Sequence, residues 1–477
     1  MLFNSIEFFL FLPITYFLYW KCFNKNIKSQ NLFLLFCSYF FYGWWDWRFL
    51  SLIILSTTVD YIIGLKIFHE EKQTKRLNYL KFSIFVNLSI LIIFKYFNFF
   101  IESWIKFYNI FPFNDSNVWT LNIILPIGIS FYTFQTMSYT IDIYFKKLKP
   151  TSDFVCFASF VSFFPQLVAG PIERARRLLP QIINIREYSE ENLTTGLRLI
   201  LWGMFNKVVL ADSLGSSVNI IFENYNLMNG GVLFLGLVYF AFQTYCDFSG
   251  YSYIAIGTAS LFGFNLISNF NYPFFSINPI DFWKRWHISL SSWVQDYLYN
   301  PMALYYMRKK TGFLNKYKSH FFTMAIIGFW HGASWNFILF GTYWGLITCI
   351  YIKLKPYMNN FIIPSLLSSI LVFHISIIGF LLFRSLTILD AYLYFKRMIL
   401  NFTIPDQLYN GLIFVIVIIF FDLIHKNDDK SSLTFSIIKN YLNLDKLYFI
   451  KIIYFLIFWL IIIFLFKNNN QFIYFQF

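Results

Sequence analysis

The chain is a succession of apolar runs separated by short polar, mostly basic segments. A bilayer crossing needs ~20 apolar residues. Ser5 to Trp20 predicts a first span, closed by Lys21, Lys25 and Lys28. Leu32 to Phe68, about 37 residues, predicts a hairpin of two spans turning near Trp45-Asp46-Trp47-Arg48. Further spans are predicted at Phe82 to Ile101, Leu121 to Tyr144, Thr195 to Asp212 and Val232 to Phe262. The stretch from Phe154 to Gly170 differs, because Phe164-Pro165-Gln166 and Ala169-Gly170-Pro171 interrupt it and basic residues flank both ends. It predicts a re-entrant or interfacial element, since irregular backbone at membrane depth survives only when buried in protein or lining a cavity. A Pro-kinked span is the alternative. From Asn265 to Lys318 the pattern turns amphipathic, and aromatics beside Lys284 and Arg285 predict helices lying in the interface plane. Phe321 to Ile352 is one more apolar run, and three spans follow near Ile363 to Phe383, Leu412 to Ile424 and Tyr448 to Phe466.

These runs make the chain an all-α polytopic membrane protein. With 58% hydrophobic and 13% charged residues, a soluble fold of this sequence would expose large apolar patches. The first apolar run has no basic leader or small-residue cleavage site and reads as a retained span. The net charge of +14 resides in clusters between spans, the positive-inside pattern, and leaves no face for nucleic acid. The clusters Lys66 to Lys81, Lys146 to Lys149 and Arg308 to Lys318 therefore mark the cytoplasm. Glu102 to Thr120 and Ser213 to Gly231, poor in Lys and Arg, mark the outside. Five scattered cysteines without a Cys-x-x-Cys exclude a disulfide framework and a zinc site. No internal repeat supports an inverted-repeat transporter. The chain reads as a single integral membrane domain over 1–477: N-terminal spans in 1–120, a motif-bearing core in 121–350 and C-terminal spans in 351–477.

Chemistry concentrates in two histidines. His331 lies in Gly328-Phe329-Trp330-His331-Gly332-Ala333-Ser334-Trp335-Asn336, inside an apolar run. An ionisable group at that depth is costly, and function is its default reading. An imidazole can act as base and then as acid in one cycle. The bland reading is a satisfied core histidine. Against it, the small neighbours clear space for a substrate, and Trp330, Trp335 and Asn336 add polar handles. His287, in Asp281-Phe282-Trp283-Lys284-Arg285-Trp286-His287-Ile288-Ser289, is either an interfacial residue at headgroup level or a second polar group at the reaction centre. A metal pair is disfavoured, because no third ligand is near. Asp247 reads as an intramembrane relay or a helix-packing group, and Asp281 as a helix cap after Asn278-Pro279-Ile280. No Gly-x-Ser-x-Gly elbow or phosphate-cradling loop is present, which points away from a serine hydrolase or an ATP-driven pump. A base without a protein nucleophile suits direct transfer of an activated group to a hydroxyl.

Five motifs, in order, carry a resemblance. They are Leu125 through Gln135; Phe164 through Ile172; Asp247-Phe248-Ser249-Gly250-Tyr251-Ser252; Asp281 through Trp293; and Gly328 through Asn336. Together they resemble the membrane-bound O-acyltransferase (MBOAT) family, and within it the bacterial alginate-type O-acetyltransferases. The first ~120 and last ~125 residues match only in hydrophobic character. The resemblance implies a multi-helix bundle with re-entrant and interfacial helices around a central funnel, in a bacterial plasma or inner membrane. It implies His331 as the catalytic histidine at the funnel's neck and His287 as a second family position. It implies no bound cofactor or metal, but an acyl-thioester co-substrate, acetyl-CoA first, and an extracytoplasmic polysaccharide acceptor: alginate-like exopolysaccharide, peptidoglycan or capsule. A secreted or periplasmic esterase-like partner would complete transfer. D-alanyl transfer to teichoic acid is the alternative within the family, and a polar-solute transporter or channel the alternative outside it.

Single cysteines placed in the three basic loops are expected to stay unlabelled by an impermeant maleimide in intact cells. Those at Glu102 to Thr120 and Ser213 to Gly231 are expected to react. Labelling of the basic loops would reverse the orientation.

Overall fold

The computed structural model of the chain describes residues 1–108, 124–308, 315–358, 364–405, 410–426 and 446–465. Among the described residues it contains helices and no strands, and six helices are long and apolar enough to cross a membrane. Most of Lys426 to Lys446, the core of Arg308 to Lys318 and the end of Glu102 to Thr120 lie outside the described residues. The chain divides into two compact units, Met1–Leu193 with Thr258–Ile267, and Thr194–Gly257 with Ser268–Phe477.

The first unit opens with α1 (Ile6–Lys21), whose N-cap Ser5 accepts the amide of Phe8. Helices α2 (Ile27–Asp46) and α3 (Leu50–His69) have 20 residues each. They part at Asp46, which is extended (φ −160°, ψ 110°) and caps the Arg48 amide. The hairpin thus turns where the sequence places it. Helix α4 (Gln73–Leu91) continues through a π-helical turn, Ile92–Tyr96, into α5 (Phe97–Tyr108). Helix α6 (Ile129–Tyr144) starts after Gly128, whose φ of 77° and close approach to the Leu167 carbonyl (2.5 Å from an added Cβ) both require glycine. Helices α3, α4 and α6 meet along a buried polar seam. The Asp60 carboxylate accepts Ser83 Oγ at 2.6 Å and Asn87 Nδ2 at 2.7 Å. Asn87 Oδ1 in turn accepts Ser56 Oγ at 2.9 Å and Thr136 Oγ1 at 3.1 Å.

The Phe154 to Gly170 stretch is two short helices, α7 (Phe154–Ser162) and α8 (Phe164–Leu167), broken at Phe163. Neither is long enough to cross a membrane, so the Pro-kinked span is replaced by a broken, protein-enclosed segment. Phe157, Phe160, Phe163 and Phe164 are fully buried. The broken backbone finds partners, since Gln135 Nε2 donates to the Phe160 carbonyl at 2.6 Å and the Phe164 amide donates to Ser38 Oγ at 3.2 Å. Helix α9 (Ala175–Ile183) follows, and the Ile267 amide donates to Glu173 just before it.

The second unit takes up most of α10 (Glu190–Met204), which runs through a π-helical turn, Phe205–Ala211, into α11 (Asp212–Glu223). The predicted stop at Asp212 is therefore overrun. The reason is local: Lys207 Nζ lies 2.9 Å from Asp212 Oδ1 and 2.8 Å from Asp247 Oδ1, so these charges need no loop. Asp247 sits on α12 (Gly230–Leu261), 32 residues long and within two residues of its predicted limits. The α10 and α12 backbones touch at Gly203 and Gly250, where a Cβ added to either would lie within 2.7 Å of the other's carbonyl.

Three short helices follow, α13 (Pro279–Arg285), α14 (Ile288–Val294) and α15 (Asn300–Arg308), with a π-helical turn at Gln295–Tyr299. Helix α15 lies on the surface, with Tyr305 54% exposed and no residue buried, while the aromatics of α13 turn inward. Phe282 stacks on Trp344 with centroids 4.9 Å apart, Trp283 meets Trp344 edge-on at 5.3 Å, and Trp286 is buried against Phe270. Aromatic area turned inward is worth more than area left at the interface.

The run from Phe321 to Ile352 is a helical hairpin rather than one span: α16 (Asn315–His331) and α17 (Trp335–Met358), turning at residues 332–334. Small residues made the break invisible to a hydropathy reading. They are what closes the hairpin, because an added Cβ on Gly328 would sit 2.6 Å from Gly341 Cα, and one on Gly345 3.1 Å from the Phe321 carbonyl. Helices α18 (Ser365–Arg384), α19 (Ile388–Leu400), α20 (Gly411–His425) and α21 (Lys446–Leu465) complete the unit. Helix α19, opened by a Thr387–Asp390 capping box, has no counterpart in the sequence reading.

Removing Lys207 would leave two buried carboxylates facing each other, and removing one partner of a buried ion pair costs ~3–5 kcal/mol. Lys207→Met is expected to lower the thermal unfolding temperature in detergent far more than Asp212→Asn, which leaves one cation with one anion. Equal losses from the two would overturn this reading of the triad.

Candidate active site

His331 is the last residue of α16, and its position follows from the hairpin. With Gly328 against Gly341, the end of α16 is drawn into the unit and the imidazole is 6% exposed. Phe340 and Phe383 present their edges to it at 5.8 and 5.4 Å, and Trp330 at 5.0 Å. The small residues around it do not open space for a substrate, as the sequence suggested. Gly328 is occupied by the helix crossing, and Gly332 lies under the Phe337 ring. Asn336 is not a handle for substrate either, since its Nδ2 donates to the Ser385 carbonyl at 2.5 Å and joins the start of α17 to the end of α18. Trp335 is 57% exposed.

His287 is fully buried, which removes the headgroup-level reading. It joins α13 to α14 in the left-handed region (φ 45°, ψ 55°), a conformation that costs a non-glycine residue roughly 1–2 kcal/mol. Asn269 holds it there. The Ile288 amide donates to the Asn269 carbonyl at 2.9 Å, the Ser289 amide to Asn269 Oδ1 at 3.3 Å, and Asn269 Nδ2 to Ser252 Oγ of α12 at 2.9 Å. Phe248 of α12 meets the imidazole edge-on at 4.6 Å. The Asp247-to-Ser252 motif therefore supports His287 on one side and pairs with Lys207 on the other.

The two imidazoles come together across Trp330, whose indole lies 6.1 Å from His287 and 5.0 Å from His331 by ring centroids. They are 44 residues apart in sequence, and no periodicity announces the meeting. Asp281 stays apart from them and is structural. Asn278 caps its amide, while its carboxylate accepts the Ile277 amide and the Arg285 guanidinium. Among the described residues, no group of three His, Cys, Asp or Glu is arranged to hold a metal ion.

A cavity of about 320 Å³ lies against α13, α14, α16 and α17. Its lining includes Ile288, next to His287, and Ile327, one helical turn before His331. His320, Met324 and Ile327 lie at spacings of four and three on α16, and His331 is four further on. At 3.6 residues per turn these four share one face, so the cavity runs along the α16 stripe that ends in His331. Sequence reading missed His320, Lys207 and Asp212. The signals were there: a second histidine three turns before the first, and charges inside a predicted span.

A buried imidazole among aromatic edges, with a second beside it and a cavity along its helix, can take a proton from a hydroxyl behind walls that limit access of water. The second imidazole can donate to an oxygen that gains charge. Comparison with known proteins adds what geometry alone does not. The chain is 38% identical over 394 residues to the "probable alginate O-acetylase" of Pseudomonas syringae pv. tomato, covering 81% of this chain and 72% of that protein. It is 31% identical over 433 residues to the peptidoglycan O-acetyltransferase of Helicobacter pylori, covering 84% and 80%. To the teichoic acid D-alanyltransferase of Streptococcus thermophilus it is 32% identical over 232 residues, 46% of this chain and 55% of that one. The profile of the membrane-bound O-acyltransferase family matches residues 77–389, a stretch that contains both histidines, the cavity and the Lys207 triad. This chain belongs to the membrane-bound O-acyltransferase family.

Proposed function

We propose that the chain moves an acetyl group from a cytoplasmic thioester, acetyl-CoA in the simplest case, to a hydroxyl destined for an extracytoplasmic polysaccharide. The observation that carries this reading is the buried His287–Trp330–His331 cluster at the end of the cavity stripe. In the transfer, the acceptor oxygen attacks the thioester carbonyl as His331 removes its proton. The C–S bond breaks as the C–O bond forms, and the proton passes from His331 to the departing thiolate. His287 steadies the carbonyl oxygen while it carries charge. Thiolate is a good leaving group, so no acyl-enzyme is needed.

Acetyl is favoured over D-alanyl because the relatives named for O-acetylation match over 72% to 84% of the chain and those named for D-alanyl transfer over 46% to 55%. Alginate and peptidoglycan are the acceptors in those relatives' names, and an uncharged or acidic glycan of either kind fits the reading. The described stretch between α11 and α12, which the charge pattern puts outside, is only a few residues long. A groove for a polymer is therefore assigned to a secreted esterase-like partner that presents its own hydroxyl to His331.

His331→Ala is expected to abolish polysaccharide acetylation in cells while the protein accumulates normally. A general base contributes ~10²–10⁴-fold, so retention of a third of the activity would remove His331 from the chemistry. His287→Ala should cost less, and His287→Gly, which relieves the left-handed strain, should leave stability intact while activity still falls.

The purified chain with acetyl-CoA is expected to release thiol slowly and to acetylate small alcohols, but not polymer. Polymer acetylation should appear on adding the secreted partner. Full-rate acetylation of the native glycan by the chain alone would defeat the partner model.

A further inference from the structure

Asp422 of α20 is a buried aspartate answered by a single tyrosine. It is 8% exposed, and its Oδ1 accepts Tyr245 Oη of α12 at 3.3 Å, long for a bond to a carboxylate. An ionised carboxylate accepts at about four sites, so most of its capacity is unspent among the described residues. It faces a cavity of about 10 Å³, close to the smallest that holds one water molecule. Asn206, from the π-helical turn Phe205–Ala211, and Tyr253, from α12, line this cavity with Asp422 and Tyr245. His425, three residues on from Asp422, closes it. Asn206 is 6% exposed, yet its amide forms no hydrogen bond among the described residues. It is a second polar group turned into the same small space.

A water molecule is the plain occupant of such a space. Charge argues for another. Among the described residues of the second unit, Asp212, Asp247 and Asp422 are buried against one buried lysine, Lys207. Lys207 pairs with the first two, and no ion pair reaches Asp422 among the described residues. Tyr245 lies half-way along the 32-residue α12, so the carboxylate it meets is at bilayer depth. Charge there is costly and is tolerated when paired.

We propose that this cavity binds one sodium-sized monovalent cation, held by the Asp422 carboxylate, Asn206 Oδ1 and the hydroxyl oxygens of Tyr245 and Tyr253. Neutral oxygens around a single carboxylate suit a hard monovalent cation, whose charge that carboxylate balances. A hard divalent cation takes about six or more oxygens and would leave charge over. The ion joins three segments, the π-helical turn, α12 and α20. Tyr245 carries the link further. Its ring meets Phe274 at 5.4 Å, Phe270 at 5.6 Å and Trp286, the residue before His287, at 6.4 Å. The ion therefore braces the aromatic packing behind His287 from the side of α20. The site lies outside the transfer reading and stands or falls apart from it.

The test uses the full chain in detergent and compares sodium chloride with choline chloride at equal ionic strength, which removes the effect of screening. Binding of radioactive sodium is expected to saturate near one ion per chain. The thermal unfolding temperature should rise with sodium concentration, as a ligand held only by the folded state requires. Asp422→Asn should abolish both responses. Asn206→Leu and Tyr253→Phe keep the carboxylate and should each weaken sodium binding about three- to tenfold. They carry the test where Asp422→Asn fails to fold. Wild-type protein indifferent to sodium in binding and in unfolding would overturn the assignment, leaving a water in the cavity and Asp422 neutralised by a proton or by His425. A sodium response that all three variants leave unchanged would place the ion elsewhere and overturn it equally.

Discussion

A polar group carried into hydrocarbon must find its partner inside the protein, because lipid offers none. That constraint explains most of what is unusual here. Asp60 is met by Ser83 and Asn87 from a neighbouring helix, and Lys207 by Asp212 and Asp247. The break at Phe163 is tolerated because Gln135 and Ser38 answer the backbone it frees. Most of these partners, Asp247 for Lys207 among them, fix one helix against another. The polar residues therefore act as registration marks as well as costs. Glycine contacts, Gly203 on Gly250 and Gly328 on Gly341, allow the close approach that brings those marks within hydrogen-bonding range.

The two histidines are placed by opposite means. His331 arrives at its position through backbone contact, at the end of a helix held by glycines, and its walls are aromatic edges. His287 arrives through hydrogen bonds, in a strained conformation that Asn269 over-determines with two bonds to the following amides and one to α12. Strain of this kind persists only where the surroundings impose it. In this conformation the His287 ring lies 6.1 Å from the Trp330 ring. A mutation at Asn269 would thus act on His287 without touching it.

Hydropathy made the spans legible, because their ends are set by where charge resumes. Helix α12 begins and ends within two residues of its predicted limits, and the Asp46 turn lies where tryptophans and an arginine cluster. The failures have equally specific causes. Residues 332–334 are small rather than polar, so the α16–α17 turn left no trace in the apolar pattern. Asp212 looked like a terminus because its counter-charge, Lys207, lies on the preceding turn of the same helix rather than in a loop. The aromatics near Lys284 looked interfacial, although Trp344, the partner of Phe282 and Trp283, lies some 60 residues on, beyond any local pattern. His331 and His287 stood out from their neighbours, but their juxtaposition depends on two separate tertiary devices. The His320 stripe is a matter of helical spacing alone, since His320, Met324, Ile327 and His331 recur at four, three and four residues.

The aromatic wall around His331 bears on the direction of the proposed transfer as well as on its rate. Water reaching His331 would compete with any acceptor hydroxyl for an activated thioester, and a sheath of Trp330, Phe340 and Phe383 limits that competition. The same sheath denies the thioester polar contacts near its reactive end. In the proposed transfer the reacting carbonyl would then be held at His331 by position more than by polar contact.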